Sequence, residues 1–125
     1  MLGDKKAVAT VSVKDLAVAR KFYEGTLGLK VASTAGAEAF TLDSGGSQII
    51  VYRSQFAGTN QATAINWMVG TQIEGIVEAL EKKGVAFEHY DLPGAVRAGG
   101  VHAFGDLKTA WFKDPDGNIL ALMNR

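Results

Sequence analysis

The chain contains no cysteine. That excludes disulfides, thiolate metal ligands and a cysteine nucleophile, and it fits a reducing compartment. It also lacks an excess of either charge, with 13 Lys plus Arg against 13 Asp plus Glu. No net field therefore draws it toward nucleic acid or an anionic membrane, and no basic run is interleaved with aromatics. No apolar run approaches membrane-spanning length, and the opening MLGDKKAVATVSV lacks the charged-then-apolar pattern of a signal peptide. A soluble, cytoplasmic protein with no nucleic-acid or membrane partner is expected. The familiar catalytic signatures are missing too. There is no GxSxG elbow, no phosphate-binding G-x-x-x-x-G-K-[ST] loop and no dinucleotide G-x-G-x-x-G after a strand.

What remains is a globular composition, 47% hydrophobic and 21% charged over 125 residues, enough for one domain spanning 1–125 with a real core. The chain states one pattern twice. AVATVSVKDLAVARKFYEGTLGLKV and ATAINWMVGTQIEGIVEALEKKGVAF each run from an alternating strand through a polar break and an amphipathic helix to a glycine and a second strand. In the first copy Asp15 is the helix cap, and Leu16, Ala19, Phe22 and Tyr23 form the buried face before Gly25 and Gly28 unwind it. In the second, Thr71 and Glu74 read as a capping box, Ile73, Ile76, Val77 and Leu80 as one buried stripe, and Gly84 as a left-handed C-cap.

Each copy then turns back on itself. EAFTLDS and SQIIVYRS flank a glycine turn, while KTAWFKD and NILALMN flank PDG, where proline sets φ for one corner and glycine accepts the positive φ that follows. The fold class is therefore α+β, two βαβββ modules at about 1–57 and 60–125 joined near QFAGTNQA, each with one helix-covered sheet face.

The segments VSVKDLAVARKFYEGTLGLKV, INWMVGTQIEGIVEALEKKGVAFE and AWFKDPDGNILAL together resemble the vicinal oxygen chelate family, the glyoxalase, bleomycin-resistance and ring-cleaving dioxygenase group. The resemblance implies paired modules forming a cup-shaped mixed sheet, helices on the outer face, and a homodimer. It also implies, in the enzymes of the family, a divalent metal held by His, Gln or Glu. Carried over position by position, the metal ligands fall on Val8, seven residues before Asp15, and on Val51, Ala64 and Ala121. None of these side chains can coordinate a metal, and the nearby Thr10, Asn66 and Asn124 are poor ligands. No metal and no other cofactor is expected.

Small apolar replacements at a cup floor suit a small-molecule pocket. The bleomycin-resistance branch offers the analogy of binding without metal catalysis. The first reading is thus a binding protein for a hydrophobic or aromatic ligand. Its cup residues would be Val8, Thr10, Ser12, Val51, Arg53, Ala64, Asn66, Trp111, Ala121 and His102, with catalytic residues left unassigned. Trp111 would offer a stacking surface, Arg53 a contact to an anionic group, Thr10 and Ser12 hydroxyls, and His102 would ride with Arg97 on a glycine-rich lid. Each also has a plain structural reading, as core, strand or loop residue. Trp67, of opposite parity to Ala64 and Asn66, is expected to pack under a helix. A second reading is a glyoxalase-like lyase, isomerase or dioxygenase with a metal relocated to His89, Asp91 and His102. A third is an interaction module whose cup is filled by its own side chains.

Overall fold

The computed structural model describes residues 1–125, which divide into two compact units, Met1–Gly58 and Thr59–Arg125. In the first, β1 (Ala9–Val13) leads to α1 (Leu16–Arg20), followed by β2 (Lys30–Ala35), β3 (Ala39–Ser44) and β4 (Ser47–Arg53). The sheet order is β1-β4-β3-β2, with β1 parallel to β4 and the rest antiparallel. Asp15 starts the helix as expected, its Oδ1 accepting from the amides of Ala17 and Val18 at 2.9 and 3.1 Å. Beyond Arg20 the helix widens into a π-helical turn over Lys21–Thr26, and the left-handed Gly28 (φ 76°) ends the run. Of the expected buried face, Ala19 and Tyr23 are fully covered, whereas Leu16 and Phe22 stay half-buried. Under the helix lies an apolar row, Val11, Val13, Phe40, Leu42, Ile49 and Val51, each at most 4% exposed. Burying such side chains contributes roughly 1.5–3 kcal/mol apiece.

The second unit holds β5 (Thr63–Met68), a 3-10 turn at Gly70–Gln72, α2 (Ile73–Lys82), β6 (Val96–Ala98), β7 (Val101–Phe104), β8 (Leu107–Lys113) and β9 (Ile119–Met123). Its sheet order is β5-β9-β8-β7-β6, with β5 parallel to β9. Ile73, Val77 and Leu80 of α2 are buried and Ile76 is half-buried, so the predicted stripe forms. Gly84 (φ 91°) caps it, with the Gly84 and Val85 amides donating to Glu81 and Leu80 carbonyls. The covered side of this sheet is aromatic: Phe112 packs between Trp67 (6.4 Å, stacked) and Phe87 (5.3 Å). Trp67 thus joins the helix-side core. The DPDGN turn closes on itself, Asp114 Oδ1 accepting from the Asp116 and Asn118 amides and Oδ2 from Asn118 Nδ2.

Three expectations need correction. The Thr71–Glu74 capping box does not form. The 3-10 turn precedes α2, Gln72 takes the cap position without a side-chain bond, and Glu74 instead pairs with Lys108 of β8. The segment after α2 is not a regular strand either, since it makes a single bridge from Phe87 to Phe112. Finally, the glycine-rich stretch is not a lid: it folds as the β6–β7 hairpin, with Arg97 opposite His102. Glycine marked the hairpin's corner at Gly99 (φ 60°), not mobility.

Candidate functional site

The candidate site is built on the side of the five-stranded sheet opposite Phe112 and Trp67. Paired residues in register share a face, so two rows can be followed across the strands. One runs Asn66–Ala121–Trp111 and the next Met68–Met123–Thr109–His102. Alternation on β8 puts Thr109 and Trp111 on the same side, opposite Ala110 and Phe112. Asn66 and Met68 are exposed, Trp111 and Met123 half-buried, and Ala121 lies beneath at 1% exposure.

Three rings close one end of this surface. His102 and Trp111 meet edge to face at 5.0 Å, as do Tyr90 and Trp111 at 5.3 Å, while Tyr90 and His102 lie tilted at 5.8 Å. His102 is 0% exposed and fully engaged, with Nε2 accepting from the Tyr90 amide at 2.9 Å and Nδ1 lying 3.1 Å from the Gly100 carbonyl. A backbone amide must donate, so the neutral ring carries its proton on Nδ1 and gives it to Gly100. His102 is a positioning residue that holds Tyr90 against Trp111. Burial, with the Glu88 carboxylate second, raises the Tyr90 phenol above its ordinary value of 10.0, so it remains an O–H group at neutral pH. Trp111 Nε1 donates to Thr63 Oγ1 at 3.2 Å, which fixes the indole plane.

Thus the register places Asn66, Ala121 and Trp111 in one row and His102 in the next, with Tyr90 and Thr63, neither foreseen in the sequence, beside them. Strict alternation pointed to Ala64, but a register shift between Thr63 and Ile65 leaves Ala64 unpaired and exposed and sets Thr63 opposite Ile119. No sequence signal marks that bulge. Tyr90 is drawn in by its backbone bond to His102, which alternation cannot reveal.

The first-unit residues do not share one face. Register pairs Val11 with Val51 and Val13 with Arg53, while Thr10 pairs with Ile50 and Ser12 with Tyr52. Val51 is therefore buried at 0% exposure in the row under α1, and Arg53 emerges on that same side, bonded to Glu38 at 3.0 Å. Thr10, Ser12 and, by parity, Val8 belong to the opposite side. The expected grouping of Val8, Thr10 and Ser12 with Val51 and Arg53 fails because SQIIVYRS is apolar at consecutive positions, which hides its covered face.

The residues present do not fit the family's divalent metal. Val8, Val51, Ala64 and Ala121 offer no donor, and no three His, Asp or Glu side chains converge in the structure. The relocated cluster also fails, because both His102 nitrogens are committed and His89 is an exposed residue outside the sheet.

Two mixed sheets, each carrying one helix on one face, define an α+β protein of paired βαβββ type. A sequence profile of the Glyoxalase/Bleomycin resistance protein/Dioxygenase superfamily matches residues 7–122, and the chain belongs to that family. Among solved structures it is similar to the integron cassette protein HFX_CASS4 from the mobile metagenome of the Halifax Harbour sewage outfall, with TM-score 0.72 and 20% identity over 98% of this chain and 99% of that one. It is also similar to a glyoxalase/bleomycin resistance protein/dioxygenase from Alicyclobacillus acidocaldarius, with TM-score 0.71 and 19% identity over 96% and 90%. The lactoylglutathione lyase of Agrobacterium tumefaciens gives TM-score 0.71 and 14% identity over 98% and 95%. Likeness at such identities concerns the fold alone. No curated protein sequence matches it. No helix is long and apolar enough to cross a membrane.

Proposed function

We propose that the protein binds a small planar, largely apolar compound without a metal, against the Trp111–Tyr90 surface of the five-stranded sheet. The observation that carries this reading is the ring cluster of Tyr90, His102 and Trp111, fixed from behind by hydrogen bonds and flanked by exposed Asn66 and Met68. Rigid aromatic faces bind flat molecules with little loss of side-chain entropy, and methionine adapts to their outline. The Asn66 amide and the protonated Tyr90 phenol supply polar contacts that orient such a molecule. That no three His, Asp or Glu side chains converge supports binding over metal-dependent turnover.

The test is a ligand-observed NMR screen of planar aromatic compounds, followed by affinities from isothermal titration calorimetry on the parent and its variants. Trp111→Ala is expected to weaken the best compounds at least about tenfold, or ~1.4 kcal/mol, with Trp111→Phe intermediate. Compounds that bind Trp111→Ala as well as the parent would sink the proposal.

A further inference from the structure

We infer that the first unit carries a separate site, for a small organic oxyanion with an apolar body, in the groove between the start of α1 and the β2–β3 hairpin. This groove encloses about 520 Å³, and Lys14, Arg20 and Arg53 all line it. Its one acidic side chain, Asp15, is spent on capping the helix through the Ala17 and Val18 amides. Apart from Thr34 the remaining wall is apolar, including Leu16, Ala39 and Phe40, the last buried at 4% exposure as a floor. A second recess of about 400 Å³ adjoins through Lys14 and Arg53 and adds Glu38, Ser54 and Gln55.

Three cations, two at the ends of α1 and one at the end of β4, thus line a cavity with an aromatic floor. Arg20 and Arg53 currently face Glu24 and Glu38, with all four side chains between 43% and 66% exposed. Ion pairs this exposed contribute little, so either guanidinium can turn from its carboxylate to a ligand at small cost. A planar guanidinium matches carboxylate and phosphate oxygens through paired hydrogen bonds, and Phe40 can receive the apolar part. The groove lies on the helix-covered side of the four-stranded sheet and involves none of the residues of the Trp111 surface.

Phenyl phosphate is the probe, with benzyl alcohol as its uncharged counterpart, titrated into 15N-labelled protein. Saturable shifts are expected at the amides of residues 14–17 and 36–40, with benzyl alcohol at least tenfold weaker. The double variant Arg20→Glu, Arg53→Glu should lower the phenyl phosphate affinity at least tenfold while leaving amides outside the groove unmoved. Arg53→Gln alone makes the same comparison if the double variant perturbs the helix. Trp111→Ala should leave these shifts intact, so loss of the aromatic site and loss of this one are read separately. No saturable shift at these amides at millimolar probe would overturn the assignment. So would equal binding of benzyl alcohol, or affinity unchanged by the charge reversals.

Discussion

Gly100 leaves no room for a methyl group. A Cβ built there would stand 2.6 Å from Phe87 Cβ and 3.1 Å from its Cγ, close to the Phe87 backbone. The same glycine gives its carbonyl to His102 Nδ1, so the contact that packs Phe87 also sets the ring cluster. Gly100→Ala should cost about 1–3 kcal/mol through overpacking, measured by urea unfolding. Gly75→Ala, inside α2 with nothing within 4 Å, should instead gain up to ~1 kcal/mol from helix propensity. Equal effects at the two sites would refute the close approach. This pair also shows where sequence reading stops. Both glycines look alike in the sequence, and the need for the first arises from a Phe87 packed thirteen positions earlier in the chain. The same applies to His102. A histidine among glycines reads as a loop residue, yet Tyr90 and Gly100 fix both of its nitrogens.

Both helices and most strands were legible because their signals are local, the strand expected after α2 and the β6–β7 hairpin being the exceptions. Asp15 caps, Gly84 and Gly117 take positive φ, and the stripe from Ile73 to Leu80 buries as its spacing requires. The other failures depended on partners distant in sequence. The Thr71–Glu74 spacing fits a capping box, but Lys108 of β8 competes for the Glu74 carboxylate and wins. That ion pair, then the backbone at Glu74, holds the carboxyl below its ordinary value of 4.5. A carboxyl depressed in the folded state adds stability that is fully present above its unfolded value and is lost as pH falls through the folded one. Glu74→Gln should therefore be less stable than the parent above pH 4.5, with the gap closing as the medium is acidified below that value. Parallel unfolding curves from neutral to strongly acidic pH make the comparison. A gap that persists in acid would assign the effect to packing instead. Strand faces were the other failure at this scale. Ile49, Ile50 and Val51 are consecutive and apolar, so only the pairing of Val11 with Val51 reveals which side of β4 is covered.

Across the whole chain, the functional reading turns on donors rather than on fold. The family's sheet architecture survives in both units, while Val8, Val51, Ala64 and Ala121, where the resemblance would put its metal ligands, carry no donor, and Val51 lies on the helix-covered face away from Val8. Divalent ions of the Mn-to-Zn series need several oxygen or imidazole donors held together, and no three carboxylate or histidine side chains meet in this structure. Thermal unfolding of chelator-stripped protein with Mn, Fe(II), Co, Ni and Zn in turn tests this directly. A metal that binds only the folded state adds about 2.7 kcal/mol at 100 times its Kd, which for a chain of this size raises Tm by roughly 10 °C. No ion is expected to move the transition by a comparable amount. A large rise with one metal, abolished in His89→Ala or His102→Ala, would show that these side chains rearrange into a site and would return the protein to metal-dependent chemistry. A flat response turns the search to the Trp111 surface, where an aromatic compound that binds the folded state is expected to raise Tm in the same assay without any ion present.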